Sequence, residues 1–173
     1  MRILIADKFP ESGVAHLRSQ SHDVEFQPDL TGDDLPAAIG AAEVLVVRST
    51  KVSAETLEAA TSLALVVRAG AGTNTIDKQA AADRAVYVSN VPGRNAIAVA
   101  ELTLGLMLSI DRRIPDNVAD LRSSSWNKAT YSKGTGLLGR SLGIVGVGAI
   151  GMAVATRAAS FGLELHAVDK PRD

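Results

Sequence analysis

The chain has 173 residues, 18 Lys and Arg against 19 Asp and Glu, a formal charge of −1 and no cysteine. The near-neutral balance offers no surplus of cations for nucleic acid or an anionic membrane, and the missing cysteine excludes disulfides, thiol catalysis and cysteine-ligated zinc. Hydrophobic residues make up 46% but aromatics only 3%, so the sequence calls for an aliphatic core.

Ile3-Leu4-Ile5-Ala6 is too short an apolar run for a helix and stops at Asp7. Residues 11–19 carry Val14 and Leu17 at helical spacing, and 24–26 alternate like a half-buried strand. Asp33-Asp34 supplies a helix start that tolerates Pro36 in its first turn. Residues 44–47 are a fully apolar run, 53–60 a helix capped by Ser53, 63–67 a second apolar run, 77–84 a helix and 86–88 a last strand. Continuous aliphatic runs belong to strands covered on both faces, the habit of parallel sheets. Five strands alternating with four helices predict a doubly wound α/β unit over 1–91.

Pro92-Gly93-Arg94-Asn95 breaks that rhythm. A longer helix is expected over 96–112, with Val99, Leu102, Leu106 and Ile110 on one face, ended or kinked by Pro115 and followed by a second helical piece to about 122. The polar, turn-rich stretch 123–136 reads as a surface connection. No apolar stretch reaches the ~20 residues that span a bilayer. Met1-Arg2 leads straight into a strand rather than a secretory leader, so the expectation is a soluble, cytoplasmic protein.

The most informative segment follows. An apolar strand over 142–145 runs into Gly146-x-Gly148-x-x-Gly151, a helix over 149–161 ends at Gly162, and a second strand over 163–168 leads to Asp169. In a dinucleotide fingerprint the three glycines make the tight turn, admit the pyrophosphate and let the helix pack on the strand. The helix N-terminus stabilises the phosphate charge. Asp169 stands 18 residues past Gly151, where a carboxylate accepts from the ribose hydroxyls. That acid favours NAD, although Lys170 and Arg172 follow at once and leave a 2′-phosphate open.

Two further loops follow apolar runs, where open α/β sheets bind ligands. Arg68-Ala69-Gly70-Ala71-Gly72-Thr73-Asn74 either exposes N–H groups to a carboxylate or is an ordinary turn using Gly70, Gly72 and Asn74 for unusual dihedrals. Arg48-Ser49-Thr50-Lys51 either receives an anionic substrate or is a solvated loop. Glu101, alone in an apolar helix, is either functional or the partner of a backbone or arginine group. His16, His22 and His166 have no base partner at short spacing, and no metal-ligand cluster is evident.

Taken together, these stretches resemble the D-isomer-specific 2-hydroxyacid dehydrogenases, phosphoglycerate dehydrogenase branch. The likeness lies in 47–52, 67–72, 74–77, 95–101, Trp126 and 139–169, in the family's order. It implies a flavodoxin-like substrate domain over 1–93 and, over 94–173, an arm plus the first βαβ of a Rossmann NAD-binding domain. Arg48, Arg68, Gly70, Ala71 and Gly72 match substrate contacts. Ala71, Gly146, Gly148, Ala149, Ile150, Gly151 and Asp169 match NAD contacts. The arm over 96–126 implies a homodimer. The activity implied is hydride transfer between NAD and C2 of a small anionic D-2-hydroxy acid, 3-phosphoglycerate favoured, with a place in serine biosynthesis. The family's catalytic Arg, Glu and His match nothing in this chain, so the expectation is an N-terminal fragment inactive by itself. The alternative is an NAD-responsive, corepressor-like binding protein on the same fold.

Overall fold

A computed structural model describes residues 1–168 and divides the chain into two compact units, Met1–Arg94 and Asn95–Asp173. Unit 1 runs β1 (Arg2–Ile5), α1 (Glu11–Ser19), β2 (Asp23–Phe26), α2 (Leu35–Ala38), β3 (Val44–Val47), α3 (Ala54–Ala59), β4 (Leu65–Arg68), α4 (Lys78–Asp83) and β5 (Tyr87–Asn90). Its five strands form one parallel sheet in the order β2-β1-β3-β4-β5, the doubly wound α/β architecture expected from the apolar runs. Ile5 lies opposite Val46 and Val47 opposite Arg68, so the carboxyl ends of β1, β3 and β4 reach one edge together. The chain turns to one side of β1 for β2 and to the other for β3, which puts the topological switch point between β1 and β3.

Alternation along these strands divides the core between two faces. Leu4, Ala6, Leu45, Val47 and Val66 pack with Leu35, Ile39, Leu57, Ile76 and Ala81 on the α2–α4 side. Ile3, Ile5, Val44 and Val46 pack with Val14 of α1 and Val24 on the other. Burying each such leucine or isoleucine is worth about 2–3 kcal/mol relative to leaving it exposed.

The helix starts follow local chemistry. Ser53 Oγ accepts from the Thr56 N–H at 3.4 Å, and Asp77 Oδ1 accepts from the Ala80 N–H at 3.0 Å. Asp34 stands before α2, but its carboxylate accepts from the N–H and hydroxyl of Thr31, closing the preceding turn instead of capping the helix.

Unit 2 comprises α5 (Ala96–Asp111), α6 (Ile114–Arg122), α7 (Lys128–Tyr131), β6 (Ser141–Ile144), α8 (Ala149–Ser160) and β7 (Glu164–Ala167). Strands β6 and β7 pair in parallel, Ile144 opposite Ala167. Its core joins Ala100 and Leu104 of α5, Val154 and Ala158 of α8, Leu137 and Leu163. None of the described helices is long and apolar enough to cross a membrane.

Three sequence expectations change here. Helix α5 is apolar nearly all round, and the face it buries is Ala96, Ala100 and Leu104. Of the expected stripe Val99, Leu102, Leu106 and Ile110, Val99 is half-buried and the other three are exposed, because the small residues Ala96 and Ala100 allow α8 to approach more closely. The helix stops at Asp111, before Pro115, and Arg113 turns left-handed (φ 49°) so that Pro115 opens α6. The stretch 123–136 contains a further short helix, α7, held under α6 by Asp120, which accepts from Asn127 Nδ2 and the Tyr131 hydroxyl.

The Asp77 cap yields a direct check. Asp77→Ala should lower stability by about 1 kcal/mol, read as a reduced urea midpoint at unchanged slope.

Candidate functional site

In unit 1 the switch point is organised by a residue that the sequence did not single out. Asp7 leaves β1 only 9% exposed. Its Oδ2 accepts from three successive N–H groups, Arg48 at 3.0 Å, Ser49 at 2.6 Å and Thr50 at 2.9 Å, and from the Thr50 hydroxyl at 3.0 Å. Oδ1 accepts from the Lys8 N–H at 2.9 Å. Burial alone pushes this carboxyl up. The N–H groups of Ser49, Thr50 and Arg48 and the Thr50 hydroxyl outweigh it and hold the group well below the usual carboxylate range. Arg48 and Lys51, in the loop so pinned, have exposed side chains.

The neighbouring loop is stitched to it. The Val52 N–H donates to Thr75 O and the Asp77 N–H to Val52 O, a short parallel bridge between Val52 and Ile76. Asn90, at the end of β5, donates through Nδ2 to Ala71 O at 2.6 Å, and the Val91 N–H donates to Gly70 O at 2.9 Å. An ordinary turn, one of the two readings open for this loop, would use Gly70, Gly72 and Asn74 for unusual dihedrals, and none of them has a positive φ. The guanidinium of Arg68 lies against the Gly70 backbone, in the space a Cβ there would take. Arg68 Nε and Thr75 Oγ1 are buried without a hydrogen-bond partner among the described residues. The N–H groups of Ala71, Gly72, Thr73 and Asn74 donate to no acceptor among those residues either. This loop therefore presents open donors, whereas the Arg48 loop has its own filled.

In unit 2 the strand-to-helix turn meets each geometric demand of a phosphate cradle. Gly146 adopts φ +89°, in the left-handed region that glycine favours. Gly148 stands at the N-cap of α8, and a Cβ at Gly146 or Gly148 would meet nothing within 4 Å, so the turn opens to free space. A Cβ on Gly151 would collide with the Gly146 carbonyl, which shows how closely α8 rests on the turn. Ala149 and Ile150 open the helix, whose first N–H groups lack intrahelical acceptors and whose first turn holds no acid. Such a terminus favours an anion, so these residues fit a dinucleotide pyrophosphate. Gly162 ends α8 at φ +71°. Asp169, the expected ribose acid, lies outside the described residues. Glu101 pairs with Arg157 across α5 and α8 at 3.4 Å, which makes it an arginine partner in this unit.

Asp7 and Asn90 escaped the sequence reading because a single acid or amide at a strand end has no motif. Only the Arg48 loop lying beside β1 gives Asp7 its meaning. Asp7→Asn should cost about 2–3 kcal/mol near neutral pH, since a buried ionic acceptor is lost. A lowered carboxyl stabilises the fold above its unfolded value of ~3.9 and loses that contribution as pH falls toward the folded value. The stability gap between wild type and Asp7→Asn should hold above about pH 5 and narrow below about pH 4. Urea titrations across that range measure it, and a gap that widens in acid would contradict the assignment.

Residues 3–170 match the profile of the D-isomer specific 2-hydroxyacid dehydrogenase catalytic domain. A D-3-phosphoglycerate dehydrogenase of Methanocaldococcus jannaschii is 39% identical over 170 residues, covering 98% of this chain and 32% of that protein. A hydroxypyruvate reductase of Thermotoga maritima is 44% identical over 141 residues, covering 81% of this chain and 46% of the relative. The NAD+-bound 3-phosphoglycerate dehydrogenase structure from Entamoeba histolytica superposes with a TM-score of 0.78 at 29% identity, over 98% of this chain and 54% of that one. The chain spans about a third of the length of the curated phosphoglycerate dehydrogenases it matches. With the family profile extending over nearly every residue, and the parallel sheet and glycine turn in place beneath it, the chain belongs to the D-isomer specific 2-hydroxyacid dehydrogenase family.

Proposed function

We propose that this chain is part of an NAD-dependent oxidoreductase acting at C2 of a small D-2-hydroxy acid, with 3-phosphoglycerate the favoured substrate. The observation that carries the reading is the glycine turn of unit 2 within a family match running from residue 3 to residue 170. The substrate preference leans on relatives named D-3-phosphoglycerate dehydrogenase. Residues 1–93 would then be the substrate domain, and 94–173 the arm and opening βαβ of the NAD-binding domain.

Each unit has its own task. Gly146, Gly148 and Gly151 keep the turn open and the N-terminus of α8 close, and the N–H groups around Ala149 and Ile150 stabilise the pyrophosphate. Asp169 accepts from the ribose hydroxyls and favours NAD over its 2′-phosphorylated form. NAD supplies the hydride chemistry when bound. Gly70, Ala71 and Gly72 present backbone donors to the substrate carboxylate, Ala71 also meeting the cofactor, while Arg48 and Arg68 supply cations for the phosphate. No catalytic acid or base is assigned within this chain. The exposed Leu102, Leu106 and Ile110 of α5 with Ile114 and Leu121 of α6 support homodimerisation through residues 96–126.

The test is an assay of the protein expressed from its complete reading frame. Turnover is expected with 3-phosphoglycerate and NAD, or in reverse with hydroxypyruvate or glyoxylate and NADH. No turnover with any of them would overturn the proposal. NADH should bind more tightly than NADPH. Gly151→Val should weaken NADH at least tenfold, about 1.4 kcal/mol, measured by fluorescence titration.

A further inference from the structure

The two loops at the carboxyl edge of the unit 1 sheet treat an incoming anion differently. Three successive N–H groups converging on one oxygen form a nest, a concavity that binds anions. The nest at Arg48, Ser49 and Thr50 already holds one, the carboxylate of Asp7. The hydroxyls join it, Thr50 at 3.0 Å and Ser49 at 3.4 Å. All the hydrogen-bond partners of Asp7 among the described residues belong to this loop or to Lys8 next to it. A buried carboxylate is a costly way to fill space, and the preceding position is filled by Ala6, itself fully buried. Asp7 therefore serves the loop rather than the core.

We propose that Asp7 is the positioning residue of the Arg48 loop: by occupying its three N–H groups it makes the loop meet the substrate anion through side chains, the Arg48 guanidinium above all, instead of through its backbone. The inference rests on the proposed role of Arg48. Arg48 is exposed, and its side chain has no hydrogen-bond or ion-pair partner among the described residues, so the backbone alone fixes the point from which the guanidinium reaches out. That backbone is held by β3 on one side and by Asp7 on the other. Replacing the carboxylate by a neutral amide leaves β3 paired, weakens the hold on three N–H groups and loosens the residue that carries the guanidinium.

The experiment has two arms. In the protein from the complete reading frame, the KM for 3-phosphoglycerate is compared among wild type, Asp7→Asn, Thr50→Val, Arg48→Ala and the Asp7→Asn/Arg48→Ala double variant. Asp7→Asn and Arg48→Ala should each raise KM about tenfold or more, with a smaller loss of kcat. The double variant should lie within about twofold of Arg48→Ala, because one residue acts through the other. Thr50→Val, which removes one donor to Asp7 and disturbs the fold less, should raise KM a few-fold. An unchanged KM with a merely reduced active fraction, or effects that multiply in the double variant, would overturn the proposal.

The second arm needs no substrate. Amide exchange at Arg48, Ser49 and Thr50, taken relative to that of Leu45, Val46 and Val47 in the same variant, should speed up about tenfold in Asp7→Asn and to a lesser degree in Thr50→Val. Undiminished protection of the three loop amides would overturn it. Should the wild type turn over none of the substrates, the activity proposed above fails, and the exchange arm still decides the role of Asp7.

Discussion

Parallel pairing of β1 with β3 is the constraint from which the rest of unit 1 follows. A parallel partner can be reached only by a crossover, so each strand returns through a helix and enters the sheet in the same direction. All the carboxyl ends then fall on one edge, and both faces must be apolar to receive the helices. That is why Val44–Val47 is buried throughout, and why Asp7, Arg48, Arg68 and Asn90 become neighbours in space although up to 83 positions separate them in sequence.

At that edge, the backbone donors are apportioned before any ligand arrives. The nest after β3 is satisfied internally by Asp7, and the loop after β4 keeps its donors open while Asn90 holds the carbonyl of Ala71. A loop with filled donors recognises charge with side chains. A loop with open donors recognises a carboxylate with its backbone. The two together suit a small molecule carrying two anionic groups, in keeping with the phosphorylated hydroxy acid of the proposed reaction.

Unit 2 obeys a different constraint, the absence of three Cβ atoms. Gly146 takes a left-handed φ, Gly148 leaves its surroundings empty, and Gly151 brings α8 against the carbonyl of Gly146. Each requirement is local, which is why the turn was legible from the spacing of glycines between an apolar strand and an apolar helix. The face that α5 would bury was not legible, because a helix apolar on every side has no preferred stripe. Ala100 and Leu104 were chosen by the fit to Val154 and Ala158 of α8.

By itself the sequence determined the alternation of strands and helices, the parallel sheet and the glycine turn, since all of these rest on periodicity and on residues close in the chain, and its motifs carried the resemblance to the family. The α7 helix, the pairing of Glu101 with Arg157, the lie of the Arg68 guanidinium against Gly70 and the anchoring of the Arg48 loop by Asp7 were decided by tertiary structure alone. Asp7 shows the reason. A carboxylate after a short strand reads as a solvated end, and it becomes a buried acceptor only when a loop 41 to 43 residues away closes over it. No local pattern encodes that distance, because the intervening residues are spent on two further strands and two helices whose packing brings the ends together.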